Sequence, residues 1–208
     1  MICVMKPMDP SDVATSYDLL AHRWASPEFN GANGIAQHRR ALQFLQKRDL
    51  AIDIGCGCNG RLIDLLIGEG FEVEGLDISA EMIRRAQIRH PHITFHHTDI
   101  CRWSPDKHYD FITAWDSIWH VPLASQPLVL TRLCQALAPN GVLIFTAGGL
   151  DEAGETHDSH MGVPMYHASM GIPETLRILH DTGCVCRHLE YDQHPELHVY
   201  FIAQKRTH

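Results

Sequence analysis

The segment Ala51-Ile52-Asp53-Ile54-Gly55-Cys56-Gly57-Cys58-Asn59-Gly60 sets an apolar strand end, an acid and a glycine-rich turn in immediate succession. Gly55 and Gly57 permit positive φ and close approach of a ligand to the backbone, and Gly60 lets the next helix start close to the sheet. Downstream, Leu62, Leu65 and Leu66 form one apolar helical face, with Gly68 and Gly70 as the stop. A strand that enters a glycine turn and leaves as a helix is half of a βα unit, and such a turn is where an open α/β sheet meets a ligand of nucleotide size.

The rest of the chain repeats the pattern. Strands are expected at 49–54, 71–76, 93–98, 110–115, 141–147, 184–191 and 197–204, alternating with helix-period segments, as in a mostly parallel sheet. Ser79 is placed to cap a helix carrying Met82, Ile83 and Ala86, and a longer helix is expected from Pro122 to Leu137. That longer helix would carry Leu128, Leu130, Leu133 and Leu137 and end at Pro139-Asn140-Gly141. Only Asp192-Gln193-His194-Pro195-Glu196 joins the last two strands, too short for a parallel crossover, so they should form an antiparallel hairpin. Residues 1–48 read as a helical cap, with Tyr17, Leu20 and Trp24 on one face and Leu42 and Leu45 on another. The expectation is one domain over 1–208: this cap, then an α/β core over 49–208 built on a Rossmann-like seven-stranded sheet with helices on both faces.

Charge narrows the partners. With 17 Lys and Arg against 25 Asp and Glu, the net charge of -8 opposes binding to a phosphate backbone, so no nucleic acid is expected. Arg39-Arg40 and Arg84-Arg85-Arg89 read as solvated helix faces. The apolar start Met1-Ile2-Cys3-Val4-Met5 is cut off by Lys6 and Pro7, and no apolar run approaches the roughly 20 residues that span a bilayer. Seven scattered cysteines do not form a disulfide framework, and a soluble, cytoplasmic chain with no membrane partner is expected.

Read literally, Gly55-x-Gly57-x-x-Gly60 is also a dinucleotide fingerprint. Asp53 argues against that ligand. A carboxylate beside a pyrophosphate costs on the order of 3 kcal/mol per charge at about 5 Å and an effective dielectric near 20, whereas beside a sulfonium or ammonium it attracts. Asp53 has a structural alternative, holding the turn through backbone N–H groups. Asp77, at the end of the second strand, can accept from both ribose hydroxyls, and Asp99, ending the third, can accept from the adenine amine or simply face solvent.

Together, Asp53-x-Gly55-x-Gly57, Asp77 and Thr98-Asp99-Ile100, each at a successive strand end, resemble the class I S-adenosylmethionine-dependent methyltransferases. The resemblance covers about residues 45–148 and, through the closing hairpin, reaches the C-terminus. It implies that Gly55, Cys56, Gly57, Asn59 and Gly60 hold the methionine part of S-adenosylmethionine, Asp77 the ribose, and Asp99 with Ile100 the adenine edge. Ile78 would pack on the adenine, Trp115 would lie beside the methionine, and Tyr17 and Trp24 would lie in the cap over the cofactor. Asn59 departs from the family, which has glycine there, and it is among the few other residues that tolerate the left-handed region.

Methyl transfer is an in-line displacement, in which positioning supplies much of the catalysis and a base is needed only for a protonated nucleophile. His120, after strand four, titrates near neutrality and is the candidate base, with Asp116 to orient it or contact substrate. Trp119, His157, Tyr166 and His167 are the acceptor-side candidates, the last three on a long loop after strand five. No metal is expected: His96 and His97 point to opposite faces of a strand, and Cys184-x-Cys186 lacks a matching pair. The Asn/Asp-Pro-Pro-aromatic segment of nucleic-acid and glutamine N-methylation does not follow strand four, which favours oxygen, sulfur or carbon of a small-molecule acceptor. A nucleotide-dependent oxidoreductase and a non-catalytic S-adenosylmethionine-binding module remain the alternatives.

Overall fold

A computed structural model describes residues 9–207, so the Met1–Met5 segment lies outside the described residues. The sheet has seven strands in the order β3-β2-β1-β4-β5-β9-β8: β1 (Leu50–Ile54), β2 (Glu72–Asp77), β3 (Thr94–His97), β4 (Tyr109–Ala114), β5 (Leu137–Gly148), β8 (Cys184–Tyr191) and β9 (His198–Lys205). The first five pair in parallel, and β9 inserts antiparallel between β5 and β8. The predicted closing hairpin is therefore present. Its second strand, not its first, lies against the parallel sheet.

Central strands β1 and β4 are buried almost throughout, which is why they read as continuous apolar runs. Helices α3 (Arg61–Gly68) and α4 (Ala80–Arg89) follow β1 and β2, and Ser79 Oγ caps α4 by accepting from Met82 N–H at 3.1 Å. The two larger core clusters lie on opposite faces of the sheet, one around Ile52, Ile112, Leu133 and Phe145, the other around Leu66, Phe111, Ile144 and Ile202.

Three expectations are corrected. The helix placed over 122–137 is shorter, α5 (Gln126–Gln135), preceded by two 3-10 turns over 118–125. Pro127 explains the delay, because a helix already running from Pro122 would need its missing N–H, whereas at the N-terminus that group has no partner to lose. Leu128 is accordingly exposed, and Leu137 belongs to β5. Pro139-Asn140-Gly141 does not end a helix. It lies where the β4–β5 register slips, with Asn140 at φ 64. The long loop after strand five is instead a second, two-stranded sheet of β6 (Gly154–Asp158) and β7 (Met165–Ser169), followed by α6 (Ile172–Asp181), neither of which the periodicity indicates.

The N-terminal segment forms α1 (Pro10–Trp24) and α2 (Ile35–Leu42). Helix α1 packs on α4 and touches β7, and Ser16 Oγ donates to the Pro164 carbonyl at 2.7 Å. No helix among the described residues is long and apolar enough to cross a membrane.

Candidate active site

A cleft of about 800 Å³ opens beyond the carboxyl ends of β1, β2 and β4, roofed by α1 and the 25–34 connection. That volume suits a nucleoside-sized ligand with a small second molecule. Gly55, Cys56, Gly57, Asn59, Asp77, Ile78, Asp99, Ile100, Trp24, Trp115, Asp116, Trp119, His120 and His167 all line it; Asp53, Gly60, His157 and Tyr166 do not.

The glycine turn is held by the neighbouring strand. Gly55 and Cys56 donate their N–H groups to the Leu76 carbonyl, and Gly57 N–H donates to Asp77 Oδ2 at 2.8 Å. Gly55, Gly57 and Gly60 have φ of 69, 57 and 70. A Cβ on Gly55 would come within 2.3 Å of Ser117 Cβ, whereas one on Gly57 would meet only Trp24, at 4.0 Å, so the backbone at Gly57 faces open cleft.

Asn59 is not in the left-handed region: among the described residues, positive φ outside glycine occurs at Asp116 and Asn140. Gly60 takes that conformation instead, one place later. Asn59 Oδ1 accepts from Arg61 N–H and from its Nη1, both at 3.1 Å, while the buried Asn59 Nδ2 has no partner among the described residues. A buried amide donor without an acceptor costs roughly 1–3 kcal/mol, and here it belongs to a residue lining the cleft.

The three strand-end acids differ in environment. Asp77 is buried, and its Oδ1 and Oδ2 accept from Ser79 and Gly57 N–H at 2.9 and 2.8 Å. Burial nonetheless outweighs these bonds and raises its pKa. Each oxygen keeps a lone pair for a further donor. Asp99 Oδ1 accepts from Cys101 N–H at 2.8 Å. The carboxylate of Asp53, a residue 3% exposed, accepts no hydrogen bond from any described residue, and the turn's Gly57 N–H is held by Asp77 instead. Burial pushes the Asp53 carboxyl up to about 7, with Arg61 opposing and Asp77 adding to the rise.

Beside Trp115 the chain enters a strained turn, with Asp116 at φ 52 and its N–H donated to Thr146 Oγ1 at 2.8 Å. Strain of this kind costs on the order of 1–3 kcal/mol and persists where surroundings fix it. Asp116 Oδ2 accepts from Asn33 Nδ2 at 2.9 Å, and Oδ1 lies 3.0 Å from His198 Nε2. His198 Nδ1 in turn lies 2.5 Å from Asp192 Oδ1. Burial lowers the His198 pKa, but hydrogen bonds to Asp116 and Asp192 overcome it and the net shift is upward.

His120 is differently placed from what a free base requires. Its Nδ1 is 2.7 Å from the Tyr166 carbonyl and must carry the proton, while Nε2 accepts from Tyr17 Oη at 2.7 Å and from Trp119 Nε1 at 3.0 Å. Burial pushes its pKa down to about 4. A neutral ring with its one lone pair facing two donors ties α1, Trp119 and β7 together, a structural arrangement that the sequence position alone does not indicate.

On the β6–β7 hairpin, alternation separates the acceptor-side candidates. His167 faces the cleft. Its neighbour Tyr166 turns the other way, buried, with Oη donating to Glu155 Oε2 at 2.7 Å and accepting from Leu123 N–H at 2.9 Å. His157 pairs with Tyr166 across the hairpin, ring centroids 5.0 Å apart, and is exposed on the far side. Neither lines the cleft. Sequence reasoning missed Arg61, Asn33, Gln37, Asp192 and His198, all of which line the cleft. Arg61 carried a signal, a lone cation opening the helix after the glycine turn. The others carried none.

A family model described as a methyltransferase domain matches residues 12–189. Over 102 residues the chain is 37% identical to the trans-aconitate 2-methyltransferase of Methylobacterium radiotolerans, covering 48% of this chain and 38% of that protein. A ubiquinone biosynthesis O-methyltransferase of Sodalis glossinidius is 28% identical over 154 residues, 67% of this chain and 59% of its own. The matches thus span less than two thirds of either relative. Among solved structures, the 1,6-didemethyltoxoflavin-N1-methyltransferase of Burkholderia thailandensis, with 1,6-didemethyltoxoflavin and S-adenosylhomocysteine bound, has a TM-score of 0.74 at 15% identity, over 100% of this chain and 98% of that one. At that identity the likeness is one of fold.

Proposed function

We infer the activity from one premise: the chain belongs to the methyltransferase domain family, whose model covers most of its length. The reading is S-adenosylmethionine-dependent methylation of a small molecule, with oxygen, sulfur or carbon as the methylated atom. S-adenosylmethionine supplies an electrophilic methyl group on a sulfonium. The relatives named for trans-aconitate and for ubiquinone biosynthesis support a small acceptor.

The observation that carries the reading is the set of unspent polar groups around one cleft. Asp77 has free lone pairs for ribose hydroxyls, the buried Asn59 amide has a donor without an acceptor, and Gly57 leaves its backbone bare. Arg61, part of whose donors go to the Asn33 carbonyl and Asn59, is placed to receive an α-carboxylate. Ile78, Met82 and Ile100 provide apolar walls for an adenine, with Asp99 at its edge. Asp53, behind the turn, favours an ammonium or sulfonium. Asp116, the cleft-facing carboxylate beside Trp115, is the residue that would take a proton from an acceptor that arrives with one, and Tyr17 and Trp24 close the cleft from α1.

Thermal melting of the full chain with S-adenosylhomocysteine or NADH tests the cofactor. A ligand at about 100 times its dissociation constant adds roughly 2.7 kcal/mol of stability. S-adenosylhomocysteine should raise the melting temperature and NADH should not; the reverse result rejects the reading. Release of S-adenosylhomocysteine across an acceptor panel then distinguishes an enzyme from a module that only binds.

A further inference from the structure

The acceptor end of the cleft can be read by counting its charges, on the premise of the cofactor reading above. His198 lies between two carboxylates, Nε2 3.0 Å from Asp116 Oδ1 and Nδ1 2.5 Å from Asp192 Oδ1. An ionised carboxylate only accepts, so both ring nitrogens carry hydrogen and the ring is a cation. The remaining oxygens are met by neutral amides, Asn33 Nδ2 on Asp116 at 2.9 Å and Gln37 Nε2 on Asp192 at 2.7 Å. All three line the cleft, but the His198 and Asp192 side chains are 8% and 7% exposed, against 30% for Asp116, so Asp116 is the most open member. Two carboxylates and one imidazolium leave this unit with a net charge of -1.

The other cation that feels Asp116 is Arg61. Among the described residues lining the cleft there is no lysine and no arginine besides Arg61. Arg61 lies over the Phe29 ring, is bonded to the Asn33 carbonyl and Asn59, and on the reading above is taken up by the cofactor's carboxylate. His120 is neutral, with both nitrogens engaged, and His167 is paired with Asp158 at 3.1 Å. The aromatic wall is supplied by Trp119, whose ring centroid is 5.4 Å from that of His198. An organic acid entering here would meet a carboxylate and an aromatic face with no free positive partner, whereas a protonated amine or a hydroxyl would find the open lone pairs of Asp116.

We infer that the acceptor site takes a small molecule that brings a cationic or hydrogen-bond-donating group to Asp116, and that it excludes organic acids of the kind named in the trans-aconitate relatives. The imidazolium of His198, backed by Asp192, holds Asp116 in place and limits the negative charge to one unit. It acts as a positioning group.

Calorimetric titration of the full chain saturated with S-adenosylhomocysteine tests this with tyramine and 4-hydroxyphenylacetate, which share a phenol ring and differ in the sign of the tail charge. Tyramine should bind at least tenfold more tightly than the acid. Asp116→Asn should shrink that ratio below about threefold, and His198→Gln, which removes the cation and leaves both carboxylates, should widen it. Equal or tighter binding of the acid, or binding of neither compound, overturns the inference while the cofactor reading stands. If S-adenosylhomocysteine itself does not bind, the cofactor reading fails and this inference with it. The wild-type ratio decides without either variant.

Discussion

Replacing Asp53 by asparagine should make the unliganded protein more stable and its cofactor binding weaker, both effects growing as pH rises. Asp53 is buried, without a hydrogen bond from any described residue, and its carboxyl is raised from the ordinary 3.8 to about 7, with burial the leading cause. An acid whose pKa rises on folding favours the protonated folded state, so its cost is absent below about pH 4 and complete above pH 7. Three pH units at 1.36 kcal/mol each bound that cost at about 4 kcal/mol. Asp53→Asn should therefore raise the melting temperature at pH 8 by several degrees, since about 1 kcal/mol moves a domain of this size by about 2–4 °C, and should change little at pH 4. Cofactor binding runs the other way, because a ligand ammonium or sulfonium interacts with the ionised form. Between pH 8 and pH 5 the wild-type dissociation constant for S-adenosylhomocysteine should rise by up to about 100-fold, about 2.7 kcal/mol, comparable with the ~3 kcal/mol of two unit charges ~5 Å apart at an effective dielectric of ~20. Calorimetry at stepped pH measures both slopes, with the Asp53→Asn variant as the control for titration of the ligand itself. A flat wild-type profile, or a variant that melts no higher at pH 8, would refute the reasoning.

Other residues give sharper single outcomes. Gly55→Ala puts a Cβ 2.3 Å from Ser117 Cβ at a residue with φ of 69, so differential scanning calorimetry should show a loss of at least about 2 kcal/mol, against less for Gly57→Ala, whose Cβ has open space. Asp77→Ala leaves the Gly57 and Ser79 N–H groups without their acceptor and removes the proposed ribose contact; affinity for S-adenosylhomocysteine should fall at least about 100-fold by calorimetry, and an unchanged value would remove Asp77 from the cofactor site. Tyr17→Phe deletes the Tyr17–His120 hydrogen bond that ties α1 to the cleft, at about 1 kcal/mol, and stopped-flow fluorescence should record faster dissociation of S-adenosylhomocysteine; identical off-rates would separate the latch from ligand retention.

How much of the site could be read from the chain follows from how local its signals are. Asp53, the glycine turn, Asp77 and Asp99 each sit at the carboxyl end of a strand, and a strand end followed by a helix cap or turn is written within a few residues. The same locality misled at Pro122, where helical periodicity masked the effect of Pro127, and over 154–158, where Gly-Glu-Thr-His-Asp has no apolar alternation and its strand exists because β7 pairs with it.

What the sequence determined by itself is the parallel α/β core and the glycine turn and strand-end acids at the proposed cofactor end of the cleft, because hydrophobic period and glycine placement act between near neighbours. Only the tertiary structure decided the proposed acceptor end. His198 reaches Asp116 across 82 positions because β9 inserts antiparallel beside β5, and Asn33 and Gln37 reach the same unit from the N-terminal cap. Tyr17 meets the lone pair of His120 across 103 positions, a contact its loop position does not suggest. Burial and hydrogen bonding, not residue type, set His120 and His198 apart, and both arise from contacts that no stretch of sequence contains.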